Sequence, residues 1–288
     1  MKSVLESLLD NSPADSVDAY RQALRQLAQE IVLLGLWRGK FFEHAAFYGG
    51  TALRMVYQLD RFSEDLDFSL LSGNRSFTLS SYFPYIIREL EAYGFEPDIK
   101  KINKTNESMV ESAFVKLGTR DLSIVMEVPQ SITKIFAKNE LIKIKFEIDM
   151  DPPSGFFTEA KYLFHPQPFS VRVFDASSMF AGKLHSVIAR AWDKRVKGRD
   201  WYDVVWFVSR AISARLSHFR ARLIQTGHLG TNVEFNAETA ISILLERCEE
   251  VDFNAAAADV MPFLRDNSVL SLWNKEFFID AINRIQFI

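Results

Sequence analysis

The chain has 288 residues, 48% of them apolar and 25% charged, with a net charge of −3 and one cysteine. That composition excludes intrinsic disorder, because enough apolar surface can be buried to offset the ordering entropy. A lone Cys248 excludes an intrachain disulfide and points to a reducing compartment. The charge argues against non-specific coating of duplex nucleic acid, and no run approaches the roughly 18 uncharged residues of a membrane span. A cytoplasmic protein without a membrane partner is expected.

The opening MKSVLESLLDNSPADS carries acidic residues throughout and does not read as a signal peptide. Ser16 or Asp18 caps a predicted helix whose apolar residues Ala23, Leu24, Leu27, Ile31 and Leu34 recur at spacings of three and four. Gly35 and Gly39 bend or break its end. Phe41, Phe42 and Phe47 are core anchors, and His44 is a structural residue just before a glycine turn. From Phe47 to Leu70 runs FYGGTALRMVYQLDRFSEDLDFSL. It divides into the turn Gly49-Gly50-Thr51, a short helix from Ala52 to Leu59, and a strand carrying Asp65-Leu66-Asp67-Phe68. A helix follows over 80–94, ended by Gly94. PDIKKIN, ESAFVKLG and LSIVMEV, within 95–128, read as strands, and SITKIFAKN (131–139) as a connector or short helix.

LIKIKFEIDM, 141–150, is the clearest strand, with Ile142, Ile144, Phe146, Ile148 and Met150 on one face and Lys143, Lys145, Glu147 and Asp149 on the other. Asp151-Pro152-Pro153 ends it. VRVFD, 171–175, is another short strand. Beyond Ala176 helical signals dominate, so a boundary near residue 175 divides 1–175 from 176–288. ARLSHFRARLIQ, AETAISILLERCEE and LSLWNKEFFIDAINRI read as amphipathic helices of a bundle. Cys248, beside Glu249 and Glu250, is an ordinary helix residue whose neighbours raise rather than lower its pKa.

The chemistry concentrates in few places. Residues two apart on a strand point the same way, so Asp65 and Asp67 present two hard oxygen ligands to one spot, which suits Mg²⁺. Glu147 or Asp149 on the later strand would supply a third carboxylate. Gly49 and Gly50 before a helix expose backbone N–H groups at the positive end of its dipole, an anion site. Thr51 adds a hydroxyl, and Ser63 is placed to bond a phosphate or the first carboxylate. Lys183 and Arg190, seven apart on a predicted helix, share a face, and a lysine near a carboxylate site neutralises triphosphate charge. Asp200 and Asp203 lie in the first turns of the next helix. On the residues by themselves, capping or pairing with Arg199 or Arg195 explains them as well as a site role does. Lys194, Arg195, Lys197 and Arg199 form a basic run suited to a nucleic-acid acceptor. Trp192, Trp201, Tyr202 and Trp206 beside it are core residues before they are stacking platforms. His185 has no second His or Cys at ligand spacing, which argues against zinc.

Gly-Gly-Thr, a dozen residues, Asp-x-Asp and a later acidic strand together resemble the nucleotidyltransferase fold of the DNA polymerase β type. The wording Gly49-Gly50-Thr51-Ala52-Leu53 followed by Arg61-Phe62-Ser63-Glu64-Asp65-Leu66-Asp67-Phe68 resembles the AbiEii/AbiGii toxin family of nucleotidyltransferases more specifically. MFAGKLHSVIARAWDKRVKGRDWYDVVWFV, 179–208, is similar to that family's lysine motif and later aspartate motif, in order. The resemblance implies an α+β architecture: an N-terminal polymerase β-type domain, a mixed sheet flanked by helices, with a C-terminal helical bundle that contributes Lys183 and Asp200 or Asp203 to the site. It implies a Mg²⁺-dependent transfer of NMP from an NTP to an acceptor such as a tRNA 3′ end. It also implies the toxin role in a toxin–antitoxin or abortive-infection system, with a cognate antitoxin encoded nearby. Two other readings compete. A metal-dependent nuclease would use Asp65, Lys145 and Glu147. A catalytically silent nucleotide-binding or regulatory module would keep the fold without the chemistry.

Overall fold

The computed structural model describes residues 17–101, 119–127, 141–190 and 196–288. Helix α1, Val17–Arg38, carries the predicted apolar stripe inward, with Ala28, Ile31, Val32 and Leu34 fully buried. Gly35 lies inside this helix without breaking it, and its bare backbone lets Ile86 of a neighbouring helix approach closely. A short 3₁₀ turn, Phe41–Glu43, leads into β1, Ala45–Tyr48. Four residues are too few to show a period of two, so this strand left no pattern in the sequence. Helix α2 then spans Gly49–Tyr57 and β2 spans Leu66–Leu70.

Two boundaries differ from expectation. The helix begins at Gly49 rather than Ala52, so the glycine pair is its first turn rather than a loop before it. The strand begins at Leu66, which leaves Asp65 one residue ahead of it. The predicted helix at 80–94 is α3, Phe83–Ala92, preceded by a 3₁₀ turn and followed by Gly94 at φ +86°.

Strands β3, Pro97–Lys101, β4, Thr119–Glu127, and β5, Leu141–Asp149, follow the expected pattern. ESAFVKLG and SITKIFAKN lie outside the described residues. Two more strands, β6, Thr158–Leu163, and β7, Phe169–Phe174, complete the sheet. β6 was not foreseen because it is an edge strand with little burial to impose alternation; Tyr162 is 71% exposed. The seven described strands run in the order β3-β4-β5-β2-β1-β7-β6. β2 is antiparallel to β1 and parallel to β5, while β1 is parallel to β7, so the sheet is mixed.

One sheet face is apolar at its centre. Phe68 stacks on Phe47 at 5.3 Å and on Phe146 at 4.5 Å between ring centroids. Strand alternation then sends Asp67 and Glu147 to the opposite face.

Six helices make up the rest of the described chain: α4, Ala176–Ala189, α5, Gly198–Ser209, α6, Leu216–Gln225, α7, Ala237–Glu250, α8, Phe253–Val260, and α9, Lys275–Asn283. α8 was not separately expected. Asp175, Asn236, Asp252 and Asn274 cap four of them through side chains that accept backbone N–H groups. Trp201 is buried between Phe253 and Phe278, each 5.1 Å away, and Trp206 is buried as well, so both are core residues. Cys248 is buried in α7, and burial with Glu249 beside it pushes its thiol up to about 12. Buried apolar residues from Leu24 to Ile285 form one contiguous cluster that joins sheet and helices. This is the expected α+β architecture. No described helix is long and apolar enough to cross a membrane.

Candidate functional site

The candidate site gathers where β1 ends, α2 begins and β2 starts. Register sets its floor. Tyr48 pairs with Asp67 across the antiparallel β1–β2 ladder, and Asp67 pairs with Glu147 across the parallel β2–β5 ladder. Register partners rise on the same face, so Tyr48, Asp67 and Glu147 form one row. Asp149 sits two residues further along, beside Ser69, and its carboxylate accepts the Asp151 N–H at 3.1 Å. Of the two expected third carboxylates, Glu147 is therefore Asp67's neighbour, and Asp149 closes the turn after β5.

Gly49 holds φ at +82°, a conformation suited to glycine, and a Cβ there would overlap the Asp67 carboxylate. The start of α2 thus lies directly against Asp67. A Cβ on Gly50 would come within 2.8 Å of Ser63 Oγ and 2.9 Å of Arg61 Nη2. Thr51 departs from expectation. It is fully buried, and its hydroxyl donates to the Asp65 carbonyl while lying 3.0 Å from Ser63 Oγ. Thr51 and Ser63 thereby tie the helix start to the loop before β2. Ser63 lies in that loop, ahead of the strand that begins at Leu66.

Burial raises the Asp65 carboxyl above the usual range, opposed by Lys145 and Arg199 and reinforced by Glu147. Lys145 forms an ion pair with Glu147. These dependences place Lys145, Glu147 and Arg199 around Asp65.

The helical half reaches the same place through buried charge. Asp203 on α5 is fully enclosed. It accepts two bonds from Arg61, Nε at 2.6 Å and Nη2 at 2.7 Å, and pairs with Lys183 Nζ at 2.7 Å. Lys183 also lies 3.5 Å from Asp200, which pairs with Arg190 at 2.5 Å. Burial would raise the Asp200 carboxyl, but Arg190, Lys183 and Lys197 override it and hold it down at about 2. Arg190, in extended conformation, follows α4 and meets the other oxygen of Asp200. The chain is Arg61–Asp203–Lys183–Asp200–Arg190. Among the described residues Asp203's arginine is Arg61 rather than Arg199, and Arg195 lies outside them.

Arg61 is the residue that the candidate set missed. It stood in the quoted motif, but nothing local marked it. Its partner is 142 positions away in sequence. Other links tie the same loop to the helical half: Tyr202 donates to Asp60 at 2.7 Å, and the Phe62 N–H donates to the Phe263 carbonyl at 2.8 Å. Arg199 lies over the Phe263 ring at 4.2 Å. Trp192, Lys194 and Arg195 lie outside the described residues. His185 lies 3.0 Å from the Thr226 hydroxyl.

Asp65, Asp67 and Glu147 have the donor chemistry for a hard divalent cation, and the side-chain-free Gly49 leaves the Asp67 carboxylate against open backbone. Among the described residues no three carboxylate, imidazole or thiolate groups enclose a metal position. Two carboxylates on an open face fit a Mg²⁺ that takes its remaining ligands from substrate phosphates and water.

Two crystal structures are similar to this chain over most of their length. One, a Helicobacter pylori protein described provisionally as a nucleotidyltransferase, is 16% identical, covers 90% of this chain and 91% of its own, and has a TM-score of 0.46. The other, JHP933 from Helicobacter pylori, is 17% identical, covers 90% of each chain, and has a TM-score of 0.49. No curated protein sequence matches. The family described as nucleotidyl transferase AbiEii toxin, type IV toxin–antitoxin system, matches residues 31–280, which takes in the glycine turn, the Asp65–Asp67 pair, β5 and the Lys183 and Asp203 helices. The chain therefore belongs to the AbiEii nucleotidyltransferase toxin family of type IV toxin–antitoxin systems.

Proposed function

We propose that this protein transfers a nucleoside monophosphate from an NTP to a hydroxyl of an RNA acceptor, with the 3′ end of tRNA as the target, and so acts as the growth-arresting toxin of its system. The observation that carries this reading is the register of Asp67 beside Glu147, with the N-terminus of α2 pressed against Asp67. A nucleotide needs a cation site and an anion site side by side, and the sheet supplies the first while the Gly49–Gly50 helix start supplies the second. Asp65 and Asp67 would hold Mg²⁺, which would supply charge neutralisation at the phosphates, with Glu147 beside Asp67. The backbone N–H groups of Gly49 and Gly50 would receive phosphate oxygens. Lys183 would place its ammonium toward the triphosphate. It is oriented by Asp203 and Asp200, whose burial suits them to holding cations rather than to touching an acceptor. Lys197 and Arg199 would meet acceptor phosphates. The cognate antitoxin would be encoded nearby, and action in the cytoplasm follows from an RNA target.

The test combines the full chain with Mg²⁺, each labelled NTP in turn and total cellular RNA. Label should appear on RNA with the wild type. Asp67→Asn should lower the rate by about a thousandfold or more, since it removes a metal ligand, with its thermal unfolding unchanged. Equal labelling by the variant would end the assignment. One feature favours a second reading: the Lys145–Glu147 ion pair beside Asp65 also fits a metal-dependent nuclease. RNA shortening without added NTP would select it.

A further inference from the structure

Arg222 of α6 approaches the start of α2. Its guanidinium carbon lies 5.8 Å from the Tyr48 ring centroid. Tyr48 immediately precedes Gly49 and is the register partner of Asp67. A Cβ on Gly182, the residue before Lys183, would come 3.9 Å from Arg222 Nε. Arg222 thus stands between the backbone leading to the Gly49 helix start and the backbone that carries Lys183.

Four arginines around the site can be compared. Arg61, Arg190 and Arg215 each meet a carboxylate, those of Asp203, Asp200 and Asp175. Among the described residues Arg222 meets none. Its Nε–H donates to His218 Nε2 at 3.0 Å, and its buried Nη2 has no acceptor among them.

His218 is built to aim this arginine. It is fully buried, and its Nδ1–H donates to the Ser154 carbonyl at 2.9 Å. The rings of Phe156 and Phe174 hold it edge-on at 5.7 and 5.9 Å. Burial, with Arg222 beside it, lowers its pKa to about 3. The imidazole is therefore neutral, with one tautomer, and Nε2 is left as an acceptor for Arg222.

We propose that Arg222, held by His218, is a further phosphate ligand of the nucleotide site and binds the triphosphate of the incoming NTP. The arginine fork matches phosphate oxygens, and among the described residues no carboxylate competes with them for Arg222. His218 is a positioning residue in this arrangement, acting through Arg222. The inference rests on the nucleotidyltransferase reading above.

The experiment measures binding of inorganic tripolyphosphate and of each Mg-NTP to the full chain by calorimetry, and then steady-state transfer. Arg222→Gln should weaken tripolyphosphate and NTP binding about tenfold or more, the loss expected for a charge-assisted bond. Arg220→Gln, on the same helix and bonded to the Thr231 carbonyl at 2.8 Å, should leave both unchanged. His218→Phe should raise the KM for NTP in the same direction with kcat within about twofold, a split that general loss of folded protein does not produce. Arg222→Lys keeps the charge and stem but loses the His218 bond. It should fall between wild type and Arg222→Gln, and it serves as the test variant if the glutamine variant does not fold. Wild-type binding that is unchanged in Arg222→Gln and Arg222→Lys overturns this assignment and leaves the transferase reading standing. A wild type that binds neither tripolyphosphate nor any NTP overturns both.

Discussion

The two halves of the candidate site use the same residue type in opposite ways. On the sheet, Asp65 and Asp67 are half-buried, and burial raises Asp65. On α5, Asp200 and Asp203 are almost wholly buried, and the cations around Asp200 hold it at about 2. Lys145 and Arg199 act on Asp65, but its burial outweighs them. The second pair has its cations in Arg61, Lys183 and Arg190. A carboxylate already neutralised by protein cations serves the fold and orients those cations, whereas one held in a half-open site with a raised pKa is available to a ligand. Aspartates that looked alike as a D-x-D and a D-x-x-D therefore separate into a half-buried pair and a cation-holding pair.

Breaking the buried side should cost the most stability. Asp203→Asn leaves Arg61, 3% exposed, without its charged partner. Urea unfolding should show a loss of about 3–5 kcal/mol, the usual penalty for an uncompensated buried charge. A loss no greater than that of Asp67→Asn would erase the contrast between the halves.

Acid should find the same side next. The folded pKa of Asp200, about 2, lies below the ordinary aspartate value of about 3.9. A depressed carboxyl stabilises the fold above its unfolded pKa, and that stability is lost as pH falls through the folded one. Between about pH 4 and pH 2 the wild type should lose about 2–3 kcal/mol that Asp200→Asn does not lose, as measured by urea titration across that range. Parallel pH curves for the two proteins would contradict the buried network.

The smallest effect belongs to the seam between the halves. Gly50→Ala places a methyl group 2.8 Å from Ser63 Oγ and 2.9 Å from Arg61 Nη2. The arginine end can shift but remains tied to Asp203, so a cost of about 1–2 kcal/mol is expected. Because Arg61 is shared, the variant should also lower activity. A fully active Gly50→Ala would mean that the helix start and the buried network are independent.

Much of the sheet half was legible in advance. The apolar alternation of 141–150 named β5 and its polar face, because a half-buried strand imposes a period of two. The glycine pair and the two aspartates carried their chemistry in residue type and spacing. The edge strand β6 and the four-residue β1 were not legible, the first for want of burial and the second for want of length. The N-terminus of α2 was placed three residues late, because a glycine pair reads as a turn even where a helix begins on it.

What the sequence by itself determined was local: a backbone-exposing start to α2, two carboxylates two positions apart, an amphipathic acidic strand and a lysine helix, each written within about ten residues. Tertiary structure decided everything that depends on register and distant pairing. Strand register set Glu147 rather than Asp149 beside Asp67. Packing of α5 against the 58–65 loop brought Arg61 to Asp203 and assigned both helical aspartates to cations. Spacing can specify which side chains share an element's face, but which faces meet depends on the burial of the whole core, and no local window contains that.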